Sequence, residues 1–414
     1  MELTVEDRAV LAGDRGEGAA LAMRIVAALG TALGAERLLD VEGAHIDGCL
    51  YHGQAGLDLA TRLVEGGASV GVPTTLNVSS LDLLHPGLVR LDDETAAQAR
   101  ALMDAYVTLG CRPTWTCAPY QLPERPALGA HVAWAESNAI VFANSVLGAR
   151  TDRYGDFVDI AAAITGRAPA AGLHLDRHRG ASLVFRLAGV PEPLLRTTAG
   201  GAALGHLVGR RSGTQVPAIV GLPADTDEDV LKAIGATAAS SGSVALFHAV
   251  GRTPEAPTLE AVLAPGAGEA TIGPDDLRAA RDELTSASAD TELGAVSLGT
   301  PHASLDELRR LAGLLTDRVR IPVYVNTGRA TWEEARRRGL APTIEDAGVT
   351  VVTDTCTYVT PILHGVEGAV MTDSGKWAWY APGNLGVDVV FGTLEDCVRS
   401  ALSGVVDRDE ELWG

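Results

Sequence analysis

The chain has 414 residues, 53 acidic against 33 basic side chains and a formal charge of −20, with 46% hydrophobic and only 4% aromatic residues. That length exceeds one ordinary core and predicts several lobes. The acidic excess excludes a nucleic-acid protein, which needs Lys and Arg to displace counterions from phosphates. No apolar run is long enough to span a bilayer, and the start "MELTVEDRAVLAGDRGEG" has no signal-peptide pattern. The expectation is a cytoplasmic protein with no membrane partner. Five cysteines, Cys49, Cys111, Cys117, Cys356 and Cys397, are an odd count there, which favours metal or reactive roles over disulfides.

In chain order, residues 4–35 read as helical, rich in Ala and Leu at helical spacing. "RLLDVEGAHIDGCLYHG" reads as a strand entering a polar loop, and "ASVGVPTTLN" and "IVFANSVLGA" as short apolar runs ending in polar turns. "VPAIVG" into "TDEDVLKAI" is a strand, a capped turn and a helix, followed by the strand "SVALFHAVG". Residues 251–276, rich in Pro, Ala and Gly, predict a surface crossing between lobes.

"AVSLGTPHASLDELRRLAGLL" predicts a strand, a Gly-Thr-Pro-His turn and a helix. Ser304 and Glu307 form its capping box, and Leu305, Leu308, Leu311 and Leu315 its buried stripe. Thr331 and Glu334 repeat the capping-box spacing, and "GVTVVTDTCTYVTPI" is a further β-rich run. Strands alternating with helices predict an α/β fold with mostly parallel sheets. Polar residues cluster at the loops: His45, Asp47, Cys49 and His52; Thr74, Thr75 and Asn77; Glu136, Ser137, Asn138, Arg150 and Arg153; Asp354 and Cys356; Asp373, Ser374 and Lys376. Taken singly, a loop Cys reads as a small apolar filler, a loop Thr or Asn as a cap, and His302 as a turn residue. No C-x-x-C spacing marks a metal site.

As a set, "AHIDGCLYHG", "VPTTLN", "TCAPY", "WAESNAIVFANSVLGAR", "AAITGRAPAAGLH", "LGTPHASLDEL", "VTDTC" and "DSGKWAWYAPG" resemble the aconitase X family across residues 43–383. The resemblance implies aconitase-like three-layer α/β/α lobes in one catalytic unit over residues 1–414. It implies a hydro-lyase that removes water from a small hydroxy acid. Bacterial members look like cis-3-hydroxy-L-proline dehydratases and archaeal members are mevalonate 5-phosphate dehydratases. The first reaction is the expectation here, with the mevalonate 5-phosphate reaction or a related elimination in specialised metabolism, or a non-catalytic metal-binding subunit, as alternatives.

Family proteins hold an iron-sulfur cluster or a single iron, and a small swivelling domain closes the site. With no room for that domain before Gly414, a separate small subunit is expected. In the wider superfamily the base is a serine of that domain. Carried over, Cys117 and Cys356 match metal ligands, while Asn77, Glu136, Ser137 and Lys376 match substrate-contacting positions, with Glu136, Ser137 and Lys376 catalytic and His45 and His302 further substrate-binding candidates. Lys376 is expected to pair with a substrate carboxylate. Thr300 stands where archaeal-type members carry a third Cys ligand, so Cys49, Cys117 and Cys356 are the expected set. That changed ligand position favours a 2Fe-2S cluster or mononuclear iron over a 4Fe-4S cluster. Cys111 and Cys397 are expected to be core fillers.

Overall fold

A computed structural model describes residues 1–288 and 291–414. The N-terminal lobe opens on α1 (Val5–Ala12) and α2 (Glu17–Ala32), two helices where one continuous stretch was expected. Gly13 and Gly16, with φ of 98° and 90°, take the left-handed backbone that L side chains avoid. They end the first helix and aim the second. The segment after them divides too. β1 (Leu38–Asp40) and β2 (Ala44–Ile46) lie in different sheets.

The chain continues through α3 (Gln54–Glu65), β3 (Thr74–Leu76), α4 (Asp93–Thr108) and β4 (Ala133–Trp134), then α5 (Ser137–Phe142), α6 (Val158–Thr165) and β5 (Arg167–Pro169). β2 is the centre of a parallel three-stranded sheet, with β3 and β4 on either side. β1 pairs antiparallel with β5. "IVFANSVLGA" is helical: α5 runs into a π-helical turn over Ala143–Leu147. Ile140, Val141, Phe142 and Ala143 are all buried, so the apolar run reflects a helix covered on every side.

The middle lobe comprises β6 (Ala181–Leu187), α7 (Glu192–Leu195), α8 (Thr198–Ser212), β7 (Pro217–Val220), α9 (Glu228–Ser241), β8 (His248–Ala249), β9 (Leu263–Ile272) and α10 (Pro274–Glu283). Its sheet is parallel in the order β8-β7-β6-β9. The expected crossing over 251–276 therefore contains a strand, β9. β9 is a mostly exposed edge strand bound through its backbone to β6, a position that needs little apolar side chain, which is why Ala and Gly suffice. α8 and α9 press together at Gly205, where a Cβ would lie 2.3 Å from the Ile234 carbonyl oxygen.

The C-terminal lobe carries β10 (Leu293–Ala303), α11 (Leu305–Leu314), β11 (Val323–Thr327), α12 (Arg329–Arg337), α13 (Leu340–Asp346), β12 (Val349–Val352), β13 (Ala369–Thr372), α14 (Gly375–Leu385), β14 (Val389–Phe391) and α15 (Leu394–Ser403). Five parallel strands run β12-β11-β10-β13-β14. The Ser304–Glu307 capping box forms, and Leu308 and Leu311 bury the helix face. The Gly-Thr-Pro-His segment stays within β10 as an irregularity, because the register to β11 shifts between Leu298 and Ala303. Gly299, at φ 75°, would place a Cβ 2.2 Å from the Asn326 carbonyl oxygen. The second capping box does not form. Gly328 occupies the N-cap, Thr331 lies inside α12, and Glu334 pairs with Arg338 at 2.7 Å.

Buried carboxylates join the first and third lobes. Asp82 accepts from the Thr353 N–H and hydroxyl, each at 2.9 Å. Asp354 accepts from Leu83 N–H at 2.9 Å and pairs with Arg329. Among the described residues no helix is long and apolar enough to cross a membrane.

Candidate active site

Parallel sheets present their ligand-binding loops at the carboxyl ends of the strands. Here β2 leads to Asp47, β3 to Asn77 and β4 to Glu136; across from them β12 leads to Cys356 and Tyr358, and β13 to Lys376. They meet around a cavity of about 480 Å³, whose lining includes Asp47, Asn77, Cys117, Glu136, Arg153 and Lys376.

Glu136 is the N-cap of α5, accepting from Ala139 N–H at 3.0 Å. Its other oxygen pairs with Lys376 Nζ, and Ser137 Oγ lies 3.3 Å from both partners. Burial on its own would lower the Lys376 ammonium, but Glu136 above all holds it well above the ordinary lysine value. Lys376 is thus already paired in this structure. Arg153 also lines the cavity and has no ion-pair partner among the described residues.

Asp47 accepts from Asn77 Nδ2. Burial, and then the charges of Glu136, Asp156 and Asp159, raise its carboxyl to about 8, so it keeps its proton at neutral pH. Asp47, Arg153, Asp156 and Tyr358 were not among the expected site residues. Asp47 stood inside a quoted motif at a strand's carboxyl end, which was the available signal. Arg153 and Asp156 lie in a loop whose position is set by contacts far apart in sequence.

Beneath the cavity, the ligand atoms of Cys117, His302 and Cys356 lie within 4.8 Å of one another, all buried. Burial pushes the Cys117 thiol up, but a hydrogen bond from Cys356, the charge of Lys376 and the His302 N–H at 3.2 Å bring it below the ordinary value. Cys356 is raised well above its own, first through that same hydrogen bond and then by burial. Of the two, Cys117 is the more readily ionised. Two sulfurs and an imidazole at this separation suit a single four-coordinate soft or borderline metal ion.

Cys49 is outside this group. Its sulfur faces the carbonyl oxygens of Ile46, Asn77 and Val78 at 3.3–3.5 Å, and burial followed by Asp47 and Asp159 holds its thiol well up. The expected set of three thiolates is not assembled, because the loop after β2 turns this side chain against the Ile46 carbonyl and the carbonyls of the loop after β3. His302 does not line the cavity. Its Nε2–H donates to the Thr355 carbonyl at 3.1 Å and its Nδ1 meets Thr116 Oγ1 at 3.0 Å, which seats the ring beside Cys117 and Cys356 and leaves Nδ1 as the nitrogen a metal would take in place of Thr116. His45 is also behind the wall, its Nδ1 2.8 Å from Thr75 Oγ1, and burial lowers its imidazole to about 3. Cys111 and Cys397 are buried and free.

Family models described as the first, second and third domains of aconitase X match residues 1–177, 181–282 and 293–403. A protein from Pseudomonas aeruginosa named cis-3-hydroxy-L-proline dehydratase is 42% identical over 98% of this chain and 71% of its own length. A protein from Methanothermobacter thermautotrophicus named phosphomevalonate dehydratase large subunit is 38% identical over 94% of this chain and 95% of its own. The crystal structure of Thermococcus kodakaraensis aconitase X in its holo-form superimposes with a TM-score of 0.87 at 34% identity, covering 97% of this chain and all of that one.

Proposed function

The chain belongs to the aconitase X family, and from that premise we propose that it is a hydro-lyase dehydrating cis-3-hydroxy-L-proline or a close analogue to a pyrroline-2-carboxylate. The observation carrying the substrate is the charge balance of the cavity: Asp47 keeps its proton and Glu136 is balanced by Lys376, which leaves the Asp156 carboxylate and one unpaired cation, Arg153. A small zwitterion with one carboxylate and one ammonium suits that balance. A phosphate ester would call for more free cations.

In the reaction, the C–H bond beside the carboxylate breaks, its electrons form the double bond, and the neighbouring C–O bond breaks to release water. Arg153 holds the substrate carboxylate, which makes that C–H more acidic. Glu136, with its charge balanced by Lys376, accepts the proton. Asp47, which carries its own proton to about pH 8, donates to the departing hydroxyl. Two carboxylates in different surroundings thus divide the base and acid roles. Cys117, Cys356 and His302 would hold an iron, whose chemistry is to stabilise charge on the leaving oxygen. The compact donor group supports a single ion above a 2Fe-2S cluster. A small swivelling subunit or domain closes the cavity in this reading, in line with relatives that are named large subunits.

The test is anaerobic purification with iron, together with a co-produced small partner, and assay of both candidate substrates. Pyrroline-2-carboxylate formation from cis-3-hydroxy-L-proline is expected. Turnover of mevalonate 5-phosphate alone would overturn the assignment.

A further inference from the structure

We propose that Tyr154, His174 and His131 form a proton relay between the cavity and solvent. Tyr154 lines the cavity, and its hydroxyl bonds His174 Nε2. His174 Nδ1 lies 2.9 Å from His131 Nδ1. His174 is buried, whereas His131 is partly exposed. Three side chains from separate segments of the first lobe therefore make one continuous hydrogen-bonded path leading outward.

A bond between two imidazole Nδ1 atoms requires that one ring donate and the other accept. Both rings are neutral. Burial, then His131 and the cations Arg179 and Arg150, lower His174 to about 3, while burial, Arg150, Arg179 and Arg37 lower His131 against the opposing pull of Glu42. A neutral imidazole has one N–H and one bare nitrogen, so the path has a single sense at any moment. Tyr154 O–H donates to His174 Nε2 and His174 Nδ1–H to His131 Nδ1, which leaves the N–H of the partly exposed His131 on Nε2; passing one proton through reverses every bond. Arg150 Nη1 donates to the His174 carbonyl at 3.1 Å, and Arg150 also pairs with Asp176, which holds the His174 backbone in place. Asp152, packed against Gly172, is the acidic group on the Tyr154 side.

The relay rests on the proposed dehydration. Each turnover leaves a proton on Glu136 and removes one from Asp47. Restoring both groups moves one proton out of the cavity and one in, or one between them. Where the two groups are reset through solvent, a cavity closed over its substrate needs a fixed path, and this is such a path.

Two measurements test it. In the resting protein, nitrogen-15 imidazole spectra at neutral pH should show one protonated Nδ1 between His131 and His174; both protonated, or neither, overturns the relay. This readout needs no activity, so failure of the dehydratase assignment leaves it intact. In the active enzyme, His131→Phe should lower kcat about tenfold with KM unchanged, and added imidazole should restore it. An unchanged kcat, or a loss that imidazole does not restore, overturns it. Tyr154→Phe should give the same kcat loss from the cavity end.

Discussion

Replacing Lys376 with methionine removes one half of an ion pair whose side chains are 3% and 6% exposed. In that environment a stranded charge costs about 3–5 kcal/mol, against about 0–1 kcal/mol for an exposed pair. Glu136 would keep three donors, Ser137 Oγ, Asn138 Nδ2 and Ala139 N–H, so the lower end, about 3 kcal/mol, is expected. Glu136→Gln preserves an N-cap acceptor but leaves the Lys376 ammonium with only Ser137 Oγ at 3.3 Å and the Tyr358 ring at 6.0 Å. The double variant buries no unpaired charge. Urea unfolding of the native chain, the two single variants and the double variant closes a thermodynamic cycle, with an expected coupling of about 2–3 kcal/mol. Coupling below about 0.5 kcal/mol would place the pair in the solvent-screened regime and refute the reasoning. Because both side chains line the cavity, each single variant should also lose at least about a hundredfold in kcat/KM.

Asp47→Asn should flatten the pH dependence of stability. With its carboxyl raised from 3.8 to about 8 in the fold, Asp47 contributes stability fully present below the unfolded value and lost as pH rises through 8. The variant's unfolding free energy should therefore fall less steeply from pH 5 to 7.5, by up to about 1.4 kcal/mol per pH unit. Parallel curves for the two proteins would contradict the raised carboxyl. At the metal-donor group, Cys117→Ser and Cys356→Ser should abolish iron binding measured by elemental analysis, while Cys49→Ser should retain it; iron loss in Cys49→Ser would restore Cys49 as a ligand.

Local chemistry made much of this protein readable from its sequence. The Ser304–Glu307 capping box, the Leu308 and Leu311 stripe and the alternation of strands with helices depend on neighbours a few residues away, and they form as expected. The motifs also marked the loops that meet at the site, since Asn77, Cys117, Glu136, Ser137 and Lys376 all line one cavity. Side-chain direction was another matter. Cys49 turns against the carbonyls of Asn77 and Val78 in the neighbouring loop, and His302 lies behind the cavity beside Thr116 and Thr355, residues 186 and 53 positions away. The proton on Asp47 and the pairing of Lys376 follow from burial and from charges supplied by distant segments. Residue type and spacing determined which elements form and which loops carry chemistry. Only the packing of three lobes decided which of those groups face the cavity, which hold a proton and which cation is free, because desolvation and Coulomb interactions act through space rather than along the chain.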